Sequence, residues 1–479
     1  MAETIYDVAI IGSGPAGYTA AIRGGQLTLK VALIESANVL GGTCLHVGCI
    51  PTKALLFNAE IWDHLKHAAE YGIAGIGTPQ LDWAAVQKRK NAIVTKHTKG
   101  LEFLMKKNKV AVIHGWGKLA GPAKDGLHTV DVSGGANGET QQGETRQIRA
   151  KNIILATGSE ARTLFGQPPD DRILTNIEIL ALDQPPKSLI VIGAGAVGVE
   201  FSSIFRSFGT EVTLVEFLPR IVPVEDEDIS KELTRLFKKR GIDVNAACKV
   251  EKIEKTETGV KVTWTTANGK AVEKEAEKVL VAVGRGPRTA NVGIETTKIE
   301  LDRGFVKVNE AQETAEPGIY AIGDIVAGMP QLAHVGAMSG IVAVSKIAGR
   351  PYRPVRSDRI PGCTYSDPQI GSAGLTETQA KEKGYEVNIG KFPFAGNSKA
   401  TIVDSHDGFV KIVADAKYGE ILGVHIIGPQ ATELIAEAVA VMELEGTVDE
   451  LTFTIHAHPT LAEAMLDAYA AVEGMAINA

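Results

Sequence analysis

Cysteine is scarce in this chain of 479 residues: four occur, Cys44, Cys49, Cys248 and Cys363. So few in so long a chain exclude a secreted scaffold held by disulfides. Long apolar runs are lacking as well. The longest, near Ser188 to Phe205, is interrupted by glycines and Glu200, so it reads as strand, turn and helix and not as a membrane span. There is no excess of positive charge. Fifty Lys and Arg against 57 Asp and Glu give a formal net charge of −7, which argues against nucleic acid or an anionic membrane as main partner. A strand-like run begins by Ile5, leaving no room for a signal or transit peptide, and a cytoplasmic location is the expectation. What remains is an ordinary globular composition, 44% hydrophobic and 22% charged. Its length suggests about three domains of ~150 residues.

Two of the few cysteines stand close together, in Gly41-Gly42-Thr43-Cys44-Leu45-His46-Val47-Gly48-Cys49-Ile50-Pro51. Four intervening residues do not match the usual zinc spacing, and no second pair completes a site, so no metal is expected. The spacing also strains a regular helix. Five steps of ~1.5 Å separate the two Cα atoms by roughly 7.5 Å along the axis, beyond the usual disulfide limit of ~7 Å. A disulfide here needs a helix break, which the glycines and Pro51 supply, since Pro51 clashes with the carbonyl of Val47 in a continuous helix. Two readings follow: a redox-active disulfide on a distorted helix start, or two buried, inert thiols. The neighbouring motifs favour the first.

Those motifs are two nucleotide-type turns. The apolar run Tyr6 to Ile11 leads into Gly12-Ser13-Gly14-Pro15-Ala16-Gly17, a helical stretch to about Leu29, and a second run ending in Glu35. Leu189 to Ile192 leads into Gly193-Ala194-Gly195-Ala196-Val197-Gly198, a helix to Phe208, and Val212 to Val215 ending in Glu216. The first glycine permits a tight turn, the second lets a pyrophosphate approach the backbone, the third allows close packing, and the acid takes ribose hydroxyls. A single such turn is weak evidence. Two copies with the same spacing of 23 residues from first glycine to acid point to two bound dinucleotides. The first copy adjoins the cysteines, so its ligand exchanges electrons with sulfur, which suits a flavin. The second then holds a nicotinamide, and Glu216 favours NAD over NADP because it repels a 2′-phosphate.

Further strand-then-glycine patterns suit a flavin. They are Ile153 to Ser159, containing Thr157, Gly158 and Ser159, Val279 to Arg285, containing Gly284, and Ile319 to Asp324. Asp324 suits ribityl hydroxyls, and the helical pattern from about Leu332 to Ala348 presents its N-terminus to a reduced ring. Near the C-terminus, His456-Ala457-His458-Pro459-Thr460-Leu461-Ala462-Glu463 is the third chemical element. Pro459 and Thr460 mark a helix start, with His458 off the helix in extended backbone. Glu463 either orients the His458 imidazole as a base for thiol chemistry or closes a capping box with Thr460. Beside a cysteine pair the first reading overtakes the second. Lys53, one turn after Cys49, and Glu200, on the second nucleotide helix, form either a further pair or two ordinary exposed helix charges.

Taken in order, GSGPAG, GGTCLHVGCIPTKA, ATGS, GAGAVGVE, VAVGR, YAIGD, QLAHVG and HAHPTLAE closely resemble the pyridine nucleotide-disulfide oxidoreductases over essentially the full chain. HAHPT together with Glu216 is similar to the lipoamide branch. His46, where asparagine is common, and Arg285-Gly286-Pro287, where Arg-Arg-Pro is usual, depart from the pattern. The resemblance implies an α/β fold: two Rossmann-like dinucleotide-binding domains, for FAD and NAD, plus an α+β dimer-interface domain. Residues 1–150 then form the FAD-binding domain, 151–279 the NAD-binding domain, 280–349 a central segment completing the FAD domain, and 350–479 the interface domain. A surface hairpin is expected near Gly134 to Arg146.

The resemblance further implies oxidation of dihydrolipoamide with reduction of NAD. Cys44 exchanges with lipoyl sulfur, Cys49 faces the flavin, and His458 with Glu463 is a base reaching across a homodimer interface. Lys53 sits near the flavin paired with Glu200. Glu35, Lys53, Gly117, Asp324 and Ala333 contact FAD; Gly193 to Gly198, Glu216, Val250 and Gly284 line the NAD site. The implied partner is the lipoyl domain of an acyltransferase on another chain. The alternatives are an NADH-dependent reductase of another disulfide or oxidant, and a non-catalytic FAD-binding subunit. Cys248 and Cys363 read as packing residues.

Overall fold

The computed structural model describes residues 4–134 and 145–478, so most of the hairpin expected near Gly134 to Arg146 lies outside the described residues. Two compact units are formed. One comprises Met1–Ala54, Ala85–Arg162 and Arg285–Val355, the other Leu55–Ala84, Thr163–Gly284 and Arg356–Ala479.

The first unit opens with β1 (Ile5–Ile11), α1 (Pro15–Gln26) and β2 (Val31–Glu35). Then come α2 (Gly42–Val47), α3 (Cys49–Lys66), which counts with the second unit from Leu55, α4 (Trp83–Lys107), which counts with the first from Ala85, β3 (Ala111–His114), β4 (Trp116–Leu119), β5 (His128–Ser133) and β6 (Thr145–Leu155). Strand β1 lies between β2 and β6, parallel to both, and β3 adds to β2 in the same sense. The return strand Ile319–Ala321 pairs parallel to the end of β6. Val8, Ile10 and Leu33 enter one buried cluster, while Ala9, Ile11, Ala32 and Ile34 enter another. Both faces of the sheet are covered, so its strands read as unbroken apolar runs. Helix α1 stops at Gln26, short of the expected Leu29, because Thr28 leaves helical space at φ 65°. It packs on the helix Ala333–Ile347 through small residues, and a Cβ on Gly340 would stand 2.8 Å from the Ala16 carbonyl oxygen.

The second unit repeats this plan. The strand Ser188–Ile192, the helix Ala196–Ser207 and the strand Glu211–Val215 follow one another. Their parallel sheet runs in the order 243–245, 211–215, 188–192, 278–281, 173–174. A three-stranded antiparallel sheet, Lys249–Lys255, Val260–Thr265 and Ala271–Ala276, joins it. The C-terminal part is a five-stranded antiparallel sheet whose central strands are Ile421–Gly428 and Phe409–Asp415. The helices Ala431–Glu443 and Glu463–Val472 bury Ala438, Met442, Met465 and Tyr469 in the same core. Among the described residues no helix is long and apolar enough to cross a membrane.

A buried cation ties the C-terminal sheet to the nucleotide-type portion of this unit. Lys411 Nζ lies 2.9 Å from Asp226 Oδ1, 3.2 Å from Asp228 Oδ2 and 2.8 Å from Glu377 Oε2, with its side chain 3% exposed. Asp226 also caps the helix Glu227–Lys239, accepting from the Asp228 N–H. Removing one partner of a buried ion cluster strands the remaining charges in low dielectric. Lys411→Met should therefore destabilise this unit by ~3–5 kcal/mol in urea denaturation.

Candidate active site

Both glycine turns are built alike. Gly12 has φ 105° and Gly193 φ 98°; a Cβ would stand 2.3 Å from the Ala156 carbonyl oxygen in one and 2.4 Å from that of Ala282 in the other. A Cβ on Gly17 or Gly198 would fall 1.9 Å from the carbonyl oxygen of its own first glycine. Gly14 and Gly195 differ: nothing lies within 4 Å of their Cβ positions, which is the open cradle a pyrophosphate needs at a helix N-terminus. The acids match too. Glu35 Oε2 accepts from Ser13 N–H at 2.9 Å and Oε1 from Ala37 N–H at 2.8 Å. Glu216 Oε2 accepts from Ala194 N–H at 2.6 Å and Oε1 from Leu218 N–H at 2.8 Å. Each carboxylate is thus pinned at the tip of its strand with acceptor capacity left for ribose hydroxyls.

The cysteines follow the first turn directly. The Gly41 N–H donates to the Ser13 carbonyl at 3.0 Å, and a Cβ on Gly42 would stand 2.7 Å from Gly14 Cα. The expected helix break falls at Gly48, which closes α2 with φ −145° and ψ −115°. Thr52 then takes the Gly48 carbonyl with both its N–H, at 3.1 Å, and its hydroxyl, at 2.6 Å. Pro51 occupies the first turn of α3, where its missing N–H costs no helix bond. The side chains of Cys44 and Cys49 are hydrogen-bonded to each other. That bond, then burial and the negative charge of Cys49, pushes the Cys44 thiol well above the ordinary thiol range, against the pull of Lys53. Tyr18, on α1, feels the same pair: burial first, then Cys44 and Cys49, raise its phenol. Its place in the cluster has no sequence signal beyond its position one residue after Gly17. His46 turns away, its Nε2 lying 2.8 Å from the Leu40 carbonyl.

The other flavin-type residues lie in the same unit. Gly117, buried on β4, has Ile11 and Ile34 against it, so it abuts the ends of β1 and β2. The Thr157 hydroxyl donates to the Arg288 carbonyl at 2.5 Å, and Gly158 has φ 74° with open space at its Cβ position. The Ser159 hydroxyl donates to Asp324 Oδ2 at 2.5 Å, and Ala333 is the first residue of its helix. Arg285 belongs to this cluster, donating from Nε to the Ser159 hydroxyl at 2.7 Å, although only its motif marked it in the sequence. At the departure Arg285-Gly286-Pro287, Arg162 Nε lies 3.9 Å from the Cβ position of Gly286, so a cation still stands nearby.

In the second unit Gly284 has φ 103° with open space at its Cβ position, and Val250 is half-buried on its antiparallel strand. Glu200 is buried, not an exposed helix charge, and its Oε1 accepts from the Tyr365 N–H at 2.9 Å. His458 Nδ1 lies 2.9 Å from Glu463 Oε1, and Glu463 Oε2 accepts from the Thr460 N–H at 2.8 Å. The orienting role and half of the capping box therefore coexist on one carboxylate. Burial raises the Glu463 carboxyl, but the Thr460 N–H and His458 outweigh it, leaving it below its usual range. The helix itself begins at Glu463, not at Pro459 and Thr460. Thr460 gives its hydroxyl proton to the Ala457 carbonyl at 2.7 Å, and the helix has Ala462 at its N-cap with no side-chain cap. His458 is exposed, and near it in sequence stand Phe453, 75% exposed, and Ile455, 96% exposed.

Residues 6–340 match the family model described as pyridine nucleotide-disulphide oxidoreductase, and residues 360–469 match that family's dimerisation domain. The chain belongs to the pyridine nucleotide-disulphide oxidoreductase family. Within it, the chain is 44% identical to the dihydrolipoyl dehydrogenase of Rhizobium etli, covering 100% of both chains. It is 43% identical to that of Bacillus subtilis over 99% of each. The crystal structure of LpdA from Mycobacterium tuberculosis has a similar fold, with TM-score 0.87 and 27% identity over 97% of this chain and 99% of that one.

Because the Cys49 side chain raises the Cys44 thiol first through their hydrogen bond and then, after burial, through its charge, Cys49→Ala removes both of those pushes. The pH at which iodoacetamide alkylates Cys44 should fall in this variant relative to the dithiol enzyme. Peptide mass spectrometry across a pH series reads the shift.

Proposed function

We infer that this protein is a dihydrolipoyl dehydrogenase, oxidising protein-bound dihydrolipoamide to lipoamide and reducing NAD to NADH as the flavoprotein component of 2-oxo acid dehydrogenase complexes. The observation that carries this reading is the thiol pair of Cys44 and Cys49 set against an open glycine cradle, on a helix broken at Gly48. Gly12, Gly14, Gly17, Glu35, Lys53, Gly117, Thr157, Gly158, Ser159, Asp324 and Ala333 would hold FAD. Gly193, Gly195, Gly198, Glu216, Val250 and Gly284 would hold NAD, on the unit that also carries the buried Glu200. When bound, FAD takes up the electron pair of a dithiol and makes it available to NAD as hydride.

The chain's own residues handle sulfur and protons. His458, contributed by the second subunit of a homodimer, uses Glu463 at Nδ1 and so offers Nε2 as the base. It takes a proton from one substrate thiol. The thiolate attacks Cys44 Sγ, the Cys44–Cys49 bond breaks, and the electron pair leaves on Cys49. The second substrate thiol then attacks the substrate sulfur of the mixed disulfide, closing the lipoyl ring, and its proton goes to Cys44. The substrate has lost two electrons and two protons, now held as the Cys44 thiol, the Cys49 thiolate and the His458 imidazolium. The upward push on Cys44 supports this division, because it keeps the proton there and the charge on Cys49.

Residues 1–150 and 280–349, with the adjoining Thr157 to Ser159, serve FAD, the rest of 151–279 with Gly284 serves NAD, and 350–479 supply the subunit interface, consistent with the family's dimerisation domain over 360–469. The partner is the lipoyl domain of an acyltransferase, and the setting is the cytoplasm.

Cys44→Ser should abolish dihydrolipoamide-dependent NADH formation; retention of that activity sinks the scheme. His458→Gln should slow reduction of the enzyme by dihydrolipoamide by ~10²–10⁴-fold. Stopped-flow measurement of each half-reaction should find the NAD half little changed, and equal losses in both halves would count against His458 as base.

A further inference from the structure

The two nucleotide-type repeats end on equivalent tetrapeptides, Ala156-Thr157-Gly158-Ser159 and Ala282-Val283-Gly284-Arg285. The equivalence is physical, since the carbonyl oxygens of Ala156 and Ala282 lie at 2.3 Å and 2.4 Å from the Cβ positions of Gly12 and Gly193. The first and third residues are unchanged, the second goes from Thr157 to Val283, and the fourth goes from a small hydroxyl to a long cation. The strands Ser159–Ala161 and Arg285–Pro287 pair antiparallel, with Arg285 opposite Ala161 and Pro287 opposite Ser159. Along this pair the Arg285 side chain reaches back to its repeat-mate. Its Nε donates to Ser159 Oγ at 2.7 Å and its Nη2 to the Ser159 carbonyl oxygen at 2.7 Å.

Ser159 is 2% exposed, and its hydroxyl has one proton to give. Because Oγ accepts from Arg285, that proton goes to Asp324 Oδ2 at 2.5 Å. The polarity therefore runs one way, from guanidinium to hydroxyl to carboxylate. Burial presses the Arg285 guanidinium below its ordinary range, while Asp324 opposes that push, Arg288 adds to it, and Cys49 opposes it again. A planar fork that engages Oγ and the carbonyl together is a geometry lysine does not reproduce.

We propose that Arg285 is a positioning residue of the flavin site: through Ser159 it holds the Asp324 carboxylate in the one orientation that accepts the sugar-alcohol hydroxyls of FAD. The proposal rests on the reading of Asp324 as a flavin ligand. It is tested on the full-length holoprotein by flavin released on dialysis, the FAD-induced rise in melting temperature, and the visible spectrum of the bound flavin. Arg285→Lys and Ser159→Ala should each weaken FAD retention about tenfold or more, the scale of losing a hydrogen bond to a charged group. The double variant should be within about twofold of the weaker single, because both changes cut one relay. Melting of the FAD-free protein should barely move, whereas a merely structural role would lower it. Arg285→Lys that keeps FAD and its spectrum as in the wild type overturns the proposal, as do losses that multiply in the double variant. Asp324→Asn separates the two levels. If it weakens FAD and Arg285→Lys does not, only the relay fails; if it keeps FAD as tightly as the wild type, the reading beneath it fails as well.

Discussion

The contact on which the site depends is the one between the cysteine-bearing helix and the first glycine turn. Gly42 approaches Gly14 so closely that a Cβ would stand 2.7 Å from Gly14 Cα, and the Gly41 N–H bonds back to Ser13. Two backbones without side chains are what allow a helix start to lie on a turn whose other side is left open at Gly14. From that seat the break at Gly48 decides the rest. It folds Cys49 back toward Cys44, lets α3 begin anew, and places Lys53 within electrostatic reach of the thiols.

Duplication of the nucleotide-type turn explains how one chain assembles two sites of different character. The glycine geometry, the pinned acids and the strand-ending Ala-x-Gly segments are the same in both copies. The differences are local. The first copy inserts α2, α3 and α4 between its second and third strands, whereas the second passes through the single helix Glu227–Lys239 between the corresponding strands. The first copy also carries Ser13, whose hydroxyl donates to Glu35 at 2.6 Å, where the second has Ala194. The cysteines and the hydroxyl therefore belong to one copy, and they are what sets the two turns apart.

Much of this was legible in the sequence because its causes are local. Strands buried on both faces appear as apolar runs, the glycine spacing reports the turn, and Pro51 with the five-residue step between the cysteines demands the break that Gly48 makes. Other features depend on partners far away in the chain. Lys411 reads as an exposed strand lysine until Asp226, Asp228 and Glu377 surround it. Arg285 meets Ser159 across 126 residues, and Ser159 meets Asp324 across 165. Glu463 posed a choice between cap and orienter that local pattern does not resolve, since its two oxygens do different things. The helix begins at Glu463, three residues after Thr460, because residues 461 and 462 form a turn that the Pro459-Thr460 pattern does not report.

The central claim is that Cys44 and Cys49 cycle between disulfide and dithiol while the other two cysteines do not. A count of thiols in denaturant, on the holoprotein as isolated and again after anaerobic reduction by NADH, tests it most directly. Two thiols, Cys248 and Cys363, should react in the oxidised protein and all four after reduction, with peptide mapping assigning the new pair to Cys44 and Cys49. The same number of reactive thiols in both states, or a new pair elsewhere, would contradict it.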